Sequence, residues 1–93
     1  MHALVTRVTI HDPDRTRELL TSQVVPGVSG APGFQTGYWT WSSGGGERNG
    51  LAMMVFDSEE NARSAGDRVR AAAESSDDVT LDEVEVREVV ASA

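Results

Sequence analysis

The sequence contains no cysteine and no lysine. Without cysteine, neither a disulfide framework nor a thiolate metal site can form, as expected for a protein of the reducing cytoplasm. All eight basic side chains are arginine, set against fifteen acidic residues, and the formal net charge is −7. A negative field of that size repels phosphate backbones, so neither nucleic acid nor membrane is an expected partner. No run approaches the ~18 apolar residues of a membrane-spanning helix. The stretch from His2 to Ile10 is too short and too polar for an export signal, which leaves the cytoplasm as the expected location. The two histidines, His2 and His11, have no ligand spacing with one another or with the surface acids, so no metal is expected. No other cofactor is expected either.

Aromatic residues are also scarce: five in 93 residues. Three of them crowd into GYWTW (37–41). Such a segment either anchors a core or an interface, or lines a pocket for a flat ligand. The acids concentrate near the other end of the sequence, at Glu74, Asp77, Asp78, Asp82, Glu83, Glu85 and Glu88. They read as a solvated face. The length fits one domain over residues 1–93. A chain this short buries only ~60–65% of its unfolded surface, so self-association is expected to supplement a thin core.

The β-branched run ALVTRVTI (3–10) predicts a first strand with neither face strongly polar. Asp12, Pro13 and Asp14 then predict a helix start, as N-cap, first helical residue and dipole-compensating charge. Leu19, Leu20, Gln23 and Val24 form its predicted buried stripe, and Pro26-Gly27 its predicted stop or kink. After the turn-rich VSGAPG (28–33), the segment FQTGYWTWS (34–42) predicts a second strand. Period-2 alternation places Tyr38 on the face of Phe34, and Trp39 and Trp41 on the other. SGGGERNG (43–50) predicts a flexible hairpin loop, with Asn49-Gly50 as a positive-φ turn signal. Its triple glycine lacks the lysine and hydroxyl spacing of a phosphate loop and lies between two strands. LAMMVF (51–56) predicts a strand buried on both faces. Ser58, followed by Glu59 and Glu60, predicts a second helix with Ala62, Ala65, Val69 and Ala72 as its close-packing stripe. LDEVEVREVV (81–90) predicts the last strand, with Val84, Val86 and Val90 alternating against acids and Arg87.

This order of strand, helix, strand, twice over, predicts a ferredoxin-like α+β sandwich: a four-stranded antiparallel sheet with two helices on one face. The uncovered face would leave an apolar patch in water, which a second copy related by a two-fold axis would cover.

The segments APGFQTGYW and VFDSEENARSA, with a glycine-bearing hairpin between them, resemble the antibiotic biosynthesis monooxygenase superfamily. The resemblance runs from Leu4 to Val90. It is carried best by Pro32-Gly33-Phe34 and by Phe56-Asp57-Ser58-Glu59-Glu60, whose physical work is turning and capping. It implies a homodimeric α+β barrel with helices outside and, in several relatives, a pocket between sheet and helices. Some relatives oxidise aromatic polyketides without metal or flavin, some degrade haem, and many have no established activity. The haem-degrading relatives use an asparagine on strand one, with a histidine and a tryptophan around helix two. This chain has Arg7 on strand one, and neither histidine nor aromatic residue in helix two. The cofactor-independent oxidases carry an asparagine near the position of Asn61, although the tryptophan one turn later is replaced here by Ala65 or its neighbours.

The resulting expectation is a monooxygenase-like protein that oxidises a small planar aromatic substrate without a cofactor. The alternative is a non-catalytic homodimer that binds a metabolite or simply assembles. Trp39 and Trp41 would sandwich a flat ligand or fill the dimer seam. Arg7 would hold a phenolate or carboxylate, or pair with an acid on strand four. Asn61 and Met53 are further candidates for ligand contact, and His11 offers a general base or a simple surface group. No residue is assigned to catalysis.

Overall fold

The computed structural model describes residues 1–42 and 47–93. The triple glycine and the first part of the predicted hairpin loop lie outside the described residues. Strand β1 (His2–Ile10) forms on the β-branched run. Helix α1 (Pro13–Leu19) starts where its capping chemistry predicts: Asp12 is extended and accepts from the Arg15 N–H, and Pro13 takes the first turn.

Of the stop or kink predicted at Pro26-Gly27, the stop does not occur, and the helix is distorted there instead. The helix widens into a π-helical segment (Leu20–Val24) and resumes as α2 (Val25–Ser29). The Val25 N–H reaches back five residues to the Leu20 carbonyl. The widened turn rearranges the backbone bonds just ahead of Pro26, which has no N–H to give.

Strand β2 (Phe34–Trp41), strand β3 (Arg48–Phe56), helix α3 (Glu59–Glu74) and strand β4 (Val79–Glu88) complete the domain. The strands form one antiparallel sheet in the order β2-β3-β1-β4. This α+β arrangement is compatible with a ferredoxin-like fold. The core lies between sheet and helices, where Leu4, Ala52, Met54 and Phe56 meet Ala62 and Ala65 of α3. Alanines there let α3 sit close, and Gly66 comes up against Leu4.

Several local expectations are corrected. Phe34 does not share the face of Tyr38. Phe34 pairs with Phe56 and Thr36 with Val55, so β2 carries one extra residue, Gln35, in a bulge. An added residue reverses the alternation, and Phe34 turns into the core against Phe56, edge to face with ring centroids 5.8 Å apart. Asn49 and Gly50 are not turn residues, because both lie within β3, opposite Thr9 and Val8. Among the described residues only Gly33 has a positive φ. Gly50 instead allows close approach: a Cβ there would stand 2.7 Å from a Val8 methyl. β3 is not covered on both faces within the chain. Gly50, Ala52, Met54 and Phe56 are buried, whereas Leu51 and Met53 are 40% and 47% exposed on the opposite face. Strand β4 runs from Val79 to Glu88, so Val90 lies beyond it and is exposed.

Candidate ligand-binding site

The helical stripe of Leu19, Leu20, Gln23 and Val24 is not buried as predicted. Leu19 and Leu20 are half-buried, and Gln23 and Val24 are exposed. All four line a cavity of about 960 Å³ that opens between the helices and the sheet. The reason is an asymmetry between the two helical layers. Helix α3 presents alanine and glycine and settles onto the sheet, while the π-helical segment buries no residue at all. Gly50, Ala52 and Met54 of β3 and Thr6, Val8 and Ile10 of β1 form the floor. Val28 contributes to the roof, and Val79 and Leu81 of β4 line one side. The volume lies within the ~300–1,000 Å³ usual for small-molecule sites.

Both tryptophans face this cavity. Trp39 pairs with Ala52 and Trp41 with Gly50, and the Trp39 indole lies across Gly37, where a Cβ would stand 2.9 Å from the ring. Trp39 is half-buried and packs against the core. Trp41 stands under two guanidinium groups, with Arg17 at 4.9 Å and Arg48 at 5.2 Å from its ring centroid. On the wall of helix α1, Thr16 is only 8% exposed, and its hydroxyl has no hydrogen-bond partner among the described residues.

The other sequence-derived candidates lie elsewhere. Arg7 and Met53 occupy the opposite face of the sheet. Arg7 is paired in register with Glu83 of β4, its Nε 3.4 Å from the carboxylate. Tyr38 shares that outer face and is 70% exposed. Met54, not Met53, lines the cavity.

Asn61 has a structural partner set. Its backbone N–H donates to Ser58 Oγ, the N-cap of α3, and its side-chain amide donates to Asp57 Oδ1 at 2.8 Å. This pair clamps Gly33, whose carbonyl accepts from the Asp57 N–H at 2.9 Å. Gly33 has φ +76°, and a Cβ there would come within 2.1 Å of Asp57 Oδ1. The two sequence segments that carry the family resemblance therefore meet in space, one fixing the entry of β2 and the other the start of α3.

His11 lies outside the cavity lining. Its Nδ1 is 2.8 Å from Glu47 Oε2 and its Nε2 2.8 Å from Thr80 Oγ1, so the ring ties the end of the hairpin to β4. No group of three or more metal-ligating side chains occurs among the described residues.

Sequence reasoning missed Arg17, Arg48 and Thr16. Arg17 and Arg48 lie 31 residues apart, and no local pattern links them to Trp41. Thr16 could have been suspected from its place on the helix, one turn ahead of Leu19 and Leu20. Neither a protein-family model nor a curated protein matches this chain.

Proposed function

We propose that this domain binds a small, planar, largely apolar molecule in the cavity between helices and sheet, and that it acts on that molecule as a cofactor-independent monooxygenase-like protein. One observation carries the binding half: two tryptophans from one strand converge on a cavity of about 960 Å³. Indole faces provide large rigid contact area at little conformational cost, which suits a flat ligand. The oxidative half rests on the resemblance to the antibiotic biosynthesis monooxygenases. In such a reaction the substrate's own electron-rich anion supplies the electrons to molecular oxygen, and protein groups position and stabilise it. Within one protomer the indoles meet such a substrate, while Arg7, Met53 and Asn61 stand away from the cavity.

The test is titration with hydroquinone-type aromatics while tryptophan fluorescence is followed, together with oxygen uptake. Quenching, with turnover reduced in Trp39→Ala, is expected. Quenching without turnover leaves a binding protein, and no quenching removes the proposal.

The alternative reading, assembly, draws on the other face of the sheet, and the two are compatible. Tyr38, Leu51 and Met53 stand exposed there beside Val5 and Val55. The exposed apolar side chains on this face, beside the Arg7–Glu83 pair, favour a second copy of the chain laid across it, closing a homodimeric barrel. Sedimentation equilibrium at micromolar concentration is expected to give the dimer mass, and Met53→Asp a monomer. A wild-type monomer with this face wetted would overturn the homodimer.

A further inference from the structure

We infer that the mouth of the cavity is an anion subsite, and that the ligand is therefore an aromatic carboxylate rather than a neutral aromatic. This rests on the binding reading above and narrows its substrate class. Arg17 and Trp41 line the cavity, and Arg48, outside the lining, is placed at its edge by the same ring: the guanidinium groups lie 4.9 Å and 5.2 Å from the Trp41 ring centroid. Arg7, Arg15, Arg63 and Arg87 each have a carboxylate within ion-pair distance; Arg17, Arg48, Arg68 and Arg70 have none among the described residues, and of these four Arg17 and Arg48 stack on the same indole. The Nε of Arg48 is buried without a hydrogen-bond partner among those residues.

In a chain with nearly twice as many acids as arginines, two uncompensated cations on one indole are not the arrangement that pairing with the nearest acid would produce. Stacking on the ring stabilises each cation, but the ring accepts no ordinary hydrogen bonds from the guanidinium N–H groups. A carboxylate supplies what is missing, since its two oxygens match the fork of a guanidinium. The acids that also line the cavity are largely committed: Asp12 caps α1, and Asp78 is 3.8 Å from Arg15. Asp77 is the remaining acid there. The rest of the lining, including Trp39, Leu19, Val28 and Met54, is apolar and suits the ring system of the same ligand.

Calorimetric titration at neutral pH and low salt with 2-naphthoic acid and with 2-naphthamide separates charge from shape. The wild type is expected to bind the acid about tenfold more tightly than the amide, the scale of one charge-assisted hydrogen bond. The double variant Arg17→Gln/Arg48→Gln is expected to bind the acid and the amide alike. Raising NaCl to about 0.5 M should shrink the wild-type preference by screening, and this arm needs no variant to fold. Equal affinities in the wild type, or a preference that survives both salt and the double variant, would overturn the subsite and leave the cavity as a neutral aromatic site. If neither compound binds, the binding reading falls and the subsite with it.

Discussion

Thr16→Val exchanges a hydroxyl for a methyl of similar size at a buried helical position, so packing is nearly conserved and only the polar atom is lost. Threonine and valine also have similar helix propensities, which leaves the backbone term small. Thr16 is 8% exposed, and its hydroxyl has neither a protein partner among the described residues nor contact with solvent. An unmade hydrogen bond of this kind costs about 1–3 kcal/mol. Part of that cost returns when the hydroxyl goes, so the variant is expected to gain about 1 kcal/mol. For a domain of this size the gain corresponds to a rise of about 4–8 °C in Tm. Thermal unfolding followed by circular dichroism measures it, and a urea titration with an unchanged m-value confirms that the denatured state is unaffected. An unchanged or lowered Tm would refute the reasoning, because it would mean the hydroxyl is already satisfied in the folded protein. A confirmed gain would mean that a polar group is kept in the cavity wall against stability, as is common where a site serves a ligand.

Gly33→Ala should lower stability by about 2–4 kcal/mol, since it forces an L side chain into the left-handed region and separates Asp57 from Asn61. The expected fall in Tm is about 10–20 °C, and a shift within a few degrees would show that the clamp is dispensable. Glu59 is held below its usual carboxylate range by the Arg63 hydrogen bond and then by the Arg63 charge, with a smaller pull from His2. Its folded-state pKa is depressed, so its stabilising increment is complete at neutral pH and is lost as acid carries the protein below the ordinary carboxylate range. Glu59→Gln should therefore narrow the difference in urea midpoint between neutral and acidic pH, and an unchanged difference would contradict the assignment.

Legibility in the sequence followed the range of the interactions concerned. The starts of α1 and α3 could be read because Asp12 and Ser58 bond N–H groups only three residues away. The pairing of Arg7 with strand four could also be anticipated, since the element order places β4 beside β1. The continuation of the helix through Pro26 could not. Proline signals a stop or a kink without saying which, and the π-helical turn ahead of it depends on a bond from Val25 to Leu20 with no sequence signal of its own. Phe34 was misplaced for a similar reason: a bulge at Gln35 is a property of the β2–β3 register.

The candidate site was half visible. GYWTW marked the strand that carries the tryptophans, and strict alternation separated Trp39 and Trp41 from Tyr38. It could not say which of the two sets would face the helices. That depends on which face α3 covers, a contact between residues far apart along the chain. Composition and local pattern were enough for the order of the strands, the helix caps and the α+β class, because short-range hydrogen bonding and hydrophobic period act within a few residues. The tertiary structure alone decided that the indoles open onto a cavity, that Arg17 and Arg48 both stack on Trp41, and that Met53 stands outside while Met54 stands within. Those outcomes follow from register and from helix-to-sheet spacing, which arise only when distant segments are brought together.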